Sequence, residues 1–341
     1  MEGKLNSLLL LYKFSKKEVY YYIVNEKNSA QIDSVNVKLL IDNNKKRWFN
    51  IAMLVEKIIP IILLLIASIS ILTTAGIIFT LFTETIEFFI RVPILDFFTG
   101  TVLKPLSITP EFGILPLIVG TATSSFIAIL VAGPIGLMTA IYLSEYSSDK
   151  VSKTIKPFLE TLAGIPTIVY GFFAFTFITP LINIFIPSLA ATNILSPGIV
   201  MGVMIIPTIA SLSEDAMNAV PDSIREGALG LGATKLEVTF RIVIPAALSG
   251  IISSFVLAIS RAIGETMIVT IASGSSKNFT FDVTQSMQTM TSYIVEVTSG
   301  DAAAGTTIYY SLYAVAMTLF VFTFLMNLFA RYVSRTLMEE Y

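Results

Sequence analysis

Arg261 and Glu265 are two ionisable residues in a stretch that is otherwise apolar. They sit in the run Arg261-Ala262-Ile263-Gly264-Glu265-Thr266, inside a long hydrophobic segment. An Arg or Glu at mid-membrane depth costs about 2.5–3.5 kcal/mol on insertion scales, so such charges usually face a partner or a water-filled path. On a continuous helix, residues four apart share a face, which permits an internal ion pair. Acid before base is the better order for such a pair, and here the order is reversed. Pairing also leaves unexplained why two charges enter the membrane at all. A planar guanidinium matches the oxygens of an oxyanion. Arg261, Glu265 and Thr266 are therefore candidates for a substrate pathway, with weak contacts because a path must also release its ion.

A second chemistry-bearing stretch is VPDSIREGALGLGATKLEVTFRIVIPAALSG, from Val220 to Gly250. Pro221 and Asp222 open a helical run to Leu229, and Gly230 and Gly232 end it. It is too short and polar to cross a bilayer. Two readings stand: an ordinary connecting loop with a surface helix, or a helix offered on the inner side to a cytoplasmic motor. Other chemistry is scarce. The chain has no Cys and no His, which removes disulfides, thiol catalysis, and the commonest general base and metal ligand. It also lacks the GxxxxGK[ST] loop that cradles nucleotide phosphates. No catalytic residue, metal or cofactor is expected in this chain.

The elements that must position these residues lie in a membrane. Hydrophobic residues make up 54% of the 341 and charged residues 13%, against about 25% charged in soluble domains. Six apolar segments are long enough to span: about Ile58–Phe82, Leu115–Leu143, Phe158–Ile186, Leu195–Leu212, Ile242–Ala272 and Ile308–Val333. Eighteen Lys and Arg fall in the segments that are inside if the N-terminus is inside, against three in the outer loops. This asymmetry predicts that both termini are cytoplasmic. The net charge of −2 offers no basic excess for nucleic acid. Pro134, Pro166, Pro207 and Pro245 interrupt the spans and are expected to bend them. Small residues cluster in the second span (Gly120, Ala122, Ser124, Ser125, Ala128, Ala132, Gly133, Gly136), which predicts close helix packing. No internal repeat of the kind found in secondary transporters is evident.

The outer loop from about Thr83 to Phe112 is expected to lie along the membrane surface through its apolar face. Residues 1–48 read as a cytoplasmic extension of unknown role, or as the product of a mis-assigned start, with 49–341 the permease domain. Within the N-terminal region Val19–Val24 and Val35–Ile41 read as short strands. The apolar run Leu8–Leu11 is too short for a signal peptide.

Two motifs carry a family resemblance. Glu226-Gly227-Ala228, three residues, Gly232, nine residues and Ile242-Val243-Ile244-Pro245 resembles the EAA loop, here about 221–245, of the permeases of ABC importers. Gly227 and Ile244 depart from the usual Ala and Leu, and Gly227 lowers helix propensity by about 1 kcal/mol relative to Ala. RAIGET resembles the RAxGET segment of phosphate importer permeases. The stretches FGILPLIVGTATSSFIAILVAGPIGLMTAIYLSEY and LAGIPTIVYGFF resemble the PstC-type subunits in particular.

The resemblance implies an all-α integral membrane protein with six transmembrane helices and the type I ABC importer permease fold. In that family a cytoplasmic coupling helix sits in a groove of the ATPase. Glu226, Gly227, Ala228, Gly232, Ile242 and Pro245 would then form the ATPase-coupling element. The implied function is import of inorganic phosphate across the cytoplasmic membrane of a prokaryote. The implied partners are a PstA-type second permease subunit, a PstB-type ATPase dimer that holds ATP and Mg, and a PstS-type external phosphate-binding protein. A permease for phosphonate, sulfate or molybdate is the alternative.

Overall fold

A computed structural model describes residues 34–300 and 302–336, with side chains from Ile58 to Tyr332 apart from Asp149. The chain divides into two compact units, Met1–Ala75 and Gly76–Tyr341. Helix α1 is Ser34–Arg91. Its most apolar stretch, within Ile58–Arg91, holds no buried residue among the described ones, as befits a surface that meets lipid. Val35–Ile41 is helical here, not a strand: these residues continue straight into the apolar run, and one uninterrupted helix satisfies every backbone group in lipid. The segment Val19–Val24 lies outside the described residues.

The same helix corrects the outer loop. Thr83–Arg91 belongs to α1, and the chain turns only at Val92-Pro93 before the short helix α2 (Ile94–Thr99). Phe88 and Phe97 are buried, and their rings meet edge to face with centroids 5.3 Å apart. Phe88 also meets Phe112 of a two-residue hairpin formed by β1 (Leu103–Lys104) and β2 (Glu111–Phe112). The aromatic face is thus spent on a buried cluster of its own, and is not left against a membrane surface.

Helix α3 (Leu115–Ile141) follows, then α4 (Asp149–Gly164), α5 (Thr167–Phe173), α6 (Thr179–Phe185) and α7 (Leu195–Asn218). The third span begins at Thr167 and not at Phe158, because Ile165 and Pro166 are extended (ψ 130° and 136°) and stop α4 there. A residue before Pro is driven out of the α region. After α7 come α8 (Asp222–Gly230), α9 (Lys235–Val238), α10 (Ile244–Ala246), α11 (Leu248–Ile263), α12 (Met267–Ala272), α13 (Met290–Ser299) and α14 (Thr307–Thr336). Among the described residues five helices can cross a membrane, and a sixth span results if Lys235–Ala246 and Leu248–Ile263, bent by 69°, count as one. The expected fifth span, Ile242–Ala272, is therefore broken twice, at Ala247 and at Gly264–Thr266.

Among the described residues there are three widened turns: Tyr142–Tyr146 after α3, Ala174–Ile178 between α5 and α6, and Thr239–Val243 between α9 and α10. Each is closed by a bond from an N–H to the carbonyl five residues back, as in Ser147 N–H to Tyr142 O at 2.8 Å. Such π turns interrupt the usual ladder without breaking it.

The central core lies where α3, α5, α7, α11 and α12 meet, around Ala128, Ala132, Met201, Ile205, Ala258 and Ile268. Small residues of α3 lie close to several neighbours: Gly136 to α7, Gly133 to Phe255 of α11 and Gly120 to the Gln288 backbone, while Ala122 is exposed. A Cβ on Gly136 would fall 2.9 Å from the Ile209 Cβ, and one on Gly202 would fall 2.8 Å from the Val131 Cβ. Backbones this close replace the missing hydrophobic drive between helices in lipid with dispersion contacts.

Candidate functional site: a broken helix and a projecting inner loop

The break after α11 decides how the two membrane charges are held. Gly264 caps α11, and Glu265 lies in the break. The two residues are therefore not on one helix face, and no ion pair joins them among the described residues; the Glu265 carboxylate has another task. Its Oε1 accepts from the backbone N–H groups of Met267 (3.0 Å) and Ile268 (3.2 Å), the first donors of α12. These are orphan donors that every helix start must satisfy. The Glu265 carbonyl is held in turn by the Thr291 hydroxyl at 2.7 Å. Glu265 is 9% exposed.

Arg261, by contrast, is exposed, at the last turn of α11, and donates to the Thr208 hydroxyl of α7 at 3.3 Å. Thr266 turns its hydroxyl to the Gly264 carbonyl at 3.2 Å. Of the three pathway candidates, only Arg261 presents free donors. Glu265→Gln keeps an acceptor oxygen for α12 and should leave the protein's thermal stability close to wild type. Glu265→Ala should lose about 1 kcal/mol, the usual worth of a helix cap. Melting of the purified protein in detergent separates the two, and equal melting temperatures would contradict the capping role.

Helix α8 follows the end of α7 across the turn at Val220-Pro221. Ala228 is buried with Ala140, Met217, Val238 and Val243, and Ile242 packs at the edge of that cluster. Glu226, Gly227 and Pro245 are exposed. The space beside Gly227 is open, so its lack of a side chain answers no packing need. Gly232 has φ +89°, while Gly232 N–H bonds to Leu229 O (3.0 Å) and Ala233 N–H to Ala228 O (3.1 Å). This is a Schellman ending, which demands a left-handed residue. Thr234 and Glu237 then form a reciprocal capping box that starts α9. The backbone and side-chain hydrogen bonds from Thr234 hold the Glu237 carboxyl below its ordinary pKa. Leu229, Leu231, Leu236 and Phe240 stay exposed around this elbow.

Among the described residues, two ionic contacts with buried carboxylates were not foreseen from sequence. Glu214 of α7, 2% exposed, pairs with Lys156 of α4 at 2.9 Å. The hydrogen bond to Glu214 raises the Lys156 pKa above its ordinary value, against the opposing effect of burial. The pair borders a cavity of about 200 Å³ that Thr208 and Ser211 also line. Glu145, in the widened turn after α3, accepts from Arg225 of α8 at 3.2 Å. The rule that marks charges inside spans would have found Glu214 had the fourth span been carried beyond Leu212 to Asn218, where α7 ends.

A bundle of broken apolar spans, with the short helix α8 beyond the end of α7 and a cation at a helix break, is the frame of a membrane transport protein. Residues 132–339 match the family described as the binding-protein-dependent transport system inner membrane component, and the chain belongs to that family. It is similar to the probable ABC transporter permease protein YqgH of Bacillus subtilis, 33% identical over 240 residues that cover 70% of this chain and 77% of the relative. It is also similar to the phosphate transport system permease protein PstC of Mesorhizobium japonicum, 36% identical over 245 residues, 66% of this chain and 74% of the relative. Among solved structures, a chain of a bacterial alginate ABC transporter in complex with a pentasaccharide-bound periplasmic protein has the same fold. The TM-score is 0.57 at 16% identity, over 87% of this chain and 98% of that one. The chain is thus a multi-pass transport subunit and not an enzyme, and its family works with a separate ATPase and a substrate-binding protein.

Proposed function

We propose that this chain is the PstC-type permease subunit of an ATP-driven importer that carries inorganic phosphate across the cytoplasmic membrane. The observation that carries this reading is Arg261: an exposed guanidinium at a helix break within the spans, with one hydroxyl partner and no carboxylate partner among the described residues. A planar fork of donors suits a phosphate oxyanion. The likeness to a phosphate permease of another bacterium supports the same substrate. The partners would be a PstA-type permease subunit, a PstB-type ATPase dimer that binds ATP and Mg, and a PstS-type external binding protein. No cofactor is assigned to this chain itself. The EAA-like loop, with Glu226, Gly227, Ala228, Gly232, Ile242 and Pro245, would meet the ATPase.

The test is ATP hydrolysis by the purified complex with its binding protein. Phosphate should stimulate it, and sulfate, molybdate and phosphonate should not; stimulation by one of those three alone would reassign the substrate. The orientation has its own measurement. Ser107 and Asn278 are exposed on outer segments joined by the Val102–Asn278 bridge, and Ser148 is exposed at the start of α4. Single Cys variants at 107 and 278 should label from outside intact cells and one at 148 should not, since the native chain has no Cys. Outside labelling at position 148 would reverse the topology.

A further inference from the structure

Arg225 stands one residue before the EAA-like motif and points away from the exposed face of α8, into the protein. Its side chain is 15% exposed, yet it makes four polar contacts. Nη1 donates to the Val220 carbonyl (2.6 Å) and to Asp222 Oδ1 (2.9 Å). Nη2 donates to the Met217 carbonyl (2.6 Å) and to Glu145 Oε1 (3.2 Å). Met217 is in the last turn of α7, where its carbonyl also accepts from the Val220 N–H at 3.1 Å, and Val220 lies just beyond the helix end; carbonyls at a helix C-terminus are open to such donors. One guanidinium therefore ties α8 to the ends of both α3 and α7. A buried Arg has five donors to satisfy in a fixed plane, and few other side chains could span acceptors on three elements.

The contacts do not stop at Glu145. The Ser144 hydroxyl lies 3.0 Å from Glu145 Oε1 and 2.9 Å from Asn218 Oδ1. Asn218 Nδ2 donates to Glu214 Oε1 at 3.4 Å, and Glu214 holds Lys156 at 2.9 Å. Thr208, which receives Arg261, lines the cavity beside that last pair. The Ser144 hydroxyl has one proton, so it serves either Glu145 or Asn218 at a time. The chain of contacts is thus continuous from Arg225 to Lys156, with Ser144 as a shared link between Glu145 and Asn218.

We propose that Arg225 is the positioning residue through which movement of α8 reaches the membrane helices, by way of Glu145, Ser144, Asn218 and Glu214 to Lys156. This rests on the reading of the chain as a permease whose inner loop meets an ATPase. Whatever docks on the exposed face of α8 can shift α3 and α7 only through what fastens α8 to them. Among the described residues that fastening is the chain link through Val220-Pro221, the packing of Val220 and Ala228 in their cluster, and Arg225, whose hydrogen bonds reach the ends of both α3 and α7.

The experiment uses the complete complex in vesicles, with phosphate uptake and ATP hydrolysis measured together. Arg225→Gln should assemble and hydrolyse ATP, while uptake per ATP falls by about tenfold, the scale of one lost charge-assisted bond. Equal falls in hydrolysis and uptake would show a structural role only and overturn the proposal. Arg225→Lys keeps a charge but not the planar fork, and its partial loss allows a cycle with Lys156→Gln. The double variant should be no worse than the poorer single variant, within about twofold. Losses that multiply would overturn the linkage, and this cycle decides the matter if Arg225→Gln does not assemble. Wild-type vesicles that take up no phosphate would refute the substrate assignment instead, and the same cycle would then be read on hydrolysis stimulated by the binding protein.

Discussion

Gly232→Val should leave the permease in the membrane and abolish its transport. Gly232 holds φ +89° at the end of α8, and a Cβ there would meet nothing within 4 Å. The penalty is therefore one of backbone and not of packing: a branched residue in this region costs about 1–3 kcal/mol. The strain is relieved if the Schellman bonds from Gly232 and Ala233 open, which unwinds the end of α8 and swings Leu231 and Leu236 away from their positions. The spans, whose cores lie elsewhere, keep their packing. Gly232→Asn is the companion variant, because Asn tolerates a left-handed backbone far better than Val. It should keep most of the uptake. Membrane levels by immunoblot and uptake of radiolabelled phosphate check both. Normal transport by well-expressed Gly232→Val would remove the loop's coupling role, and equal failure of the Asn variant would show that size and not backbone shape matters.

The second large effect concerns Arg261. Arg261→Gln should reach normal membrane levels yet lose uptake by about ten- to a hundredfold, the worth of a hydrogen bond to a charged group at about 1.5–3 kcal/mol. The structure makes the single variant informative. Had Arg261 neutralised Glu265, its removal would orphan a buried carboxylate and unfold the site. Glu265 is instead satisfied by two backbone donors of α12, so Arg261 can be taken away without that penalty. Lys at 261 keeps the charge without the fork, and an intermediate loss is expected. Uptake is measured in cells that lack other phosphate importers. Wild-type uptake by Arg261→Gln would reduce the residue to an anchor for Thr208.

Much of this architecture is legible along the chain, because a bilayer demands long apolar helices and says so in composition. The runs at Leu115 and Leu195 become α3 and α7, and small residues of α3 do face close neighbours. The inner loop is legible for another reason: Gly232 ends a helix by local backbone chemistry, which needs no knowledge of the rest of the fold. What fails is continuity. The apolar run carries on past Ile165-Pro166, and the dip around Gly264 that Arg261 and Glu265 cause reads as two charges on one helix instead of as a break, so an i, i+4 argument applied to them assumed a helix that stops between them. Long-range pairing is hidden too. Glu145 and Arg225 are 80 positions apart, and nothing periodic connects them.

The three widened turns also mark where the gene can lose a codon. Each holds one more residue than the α turn it replaces. Removing a single codon within 142–146, 174–178 or 239–243 would leave a regular helix whose two sides keep their phase, because the turn closes the same angle with one residue fewer. The same deletion in a regular stretch such as α11 would rotate one side by about 100°. It would turn the loop carrying Glu226 and Gly232 relative to Arg261, whereas loss of a residue from Thr239–Val243 would not. The exposed tip near Ser107 carries no phase and can change length freely.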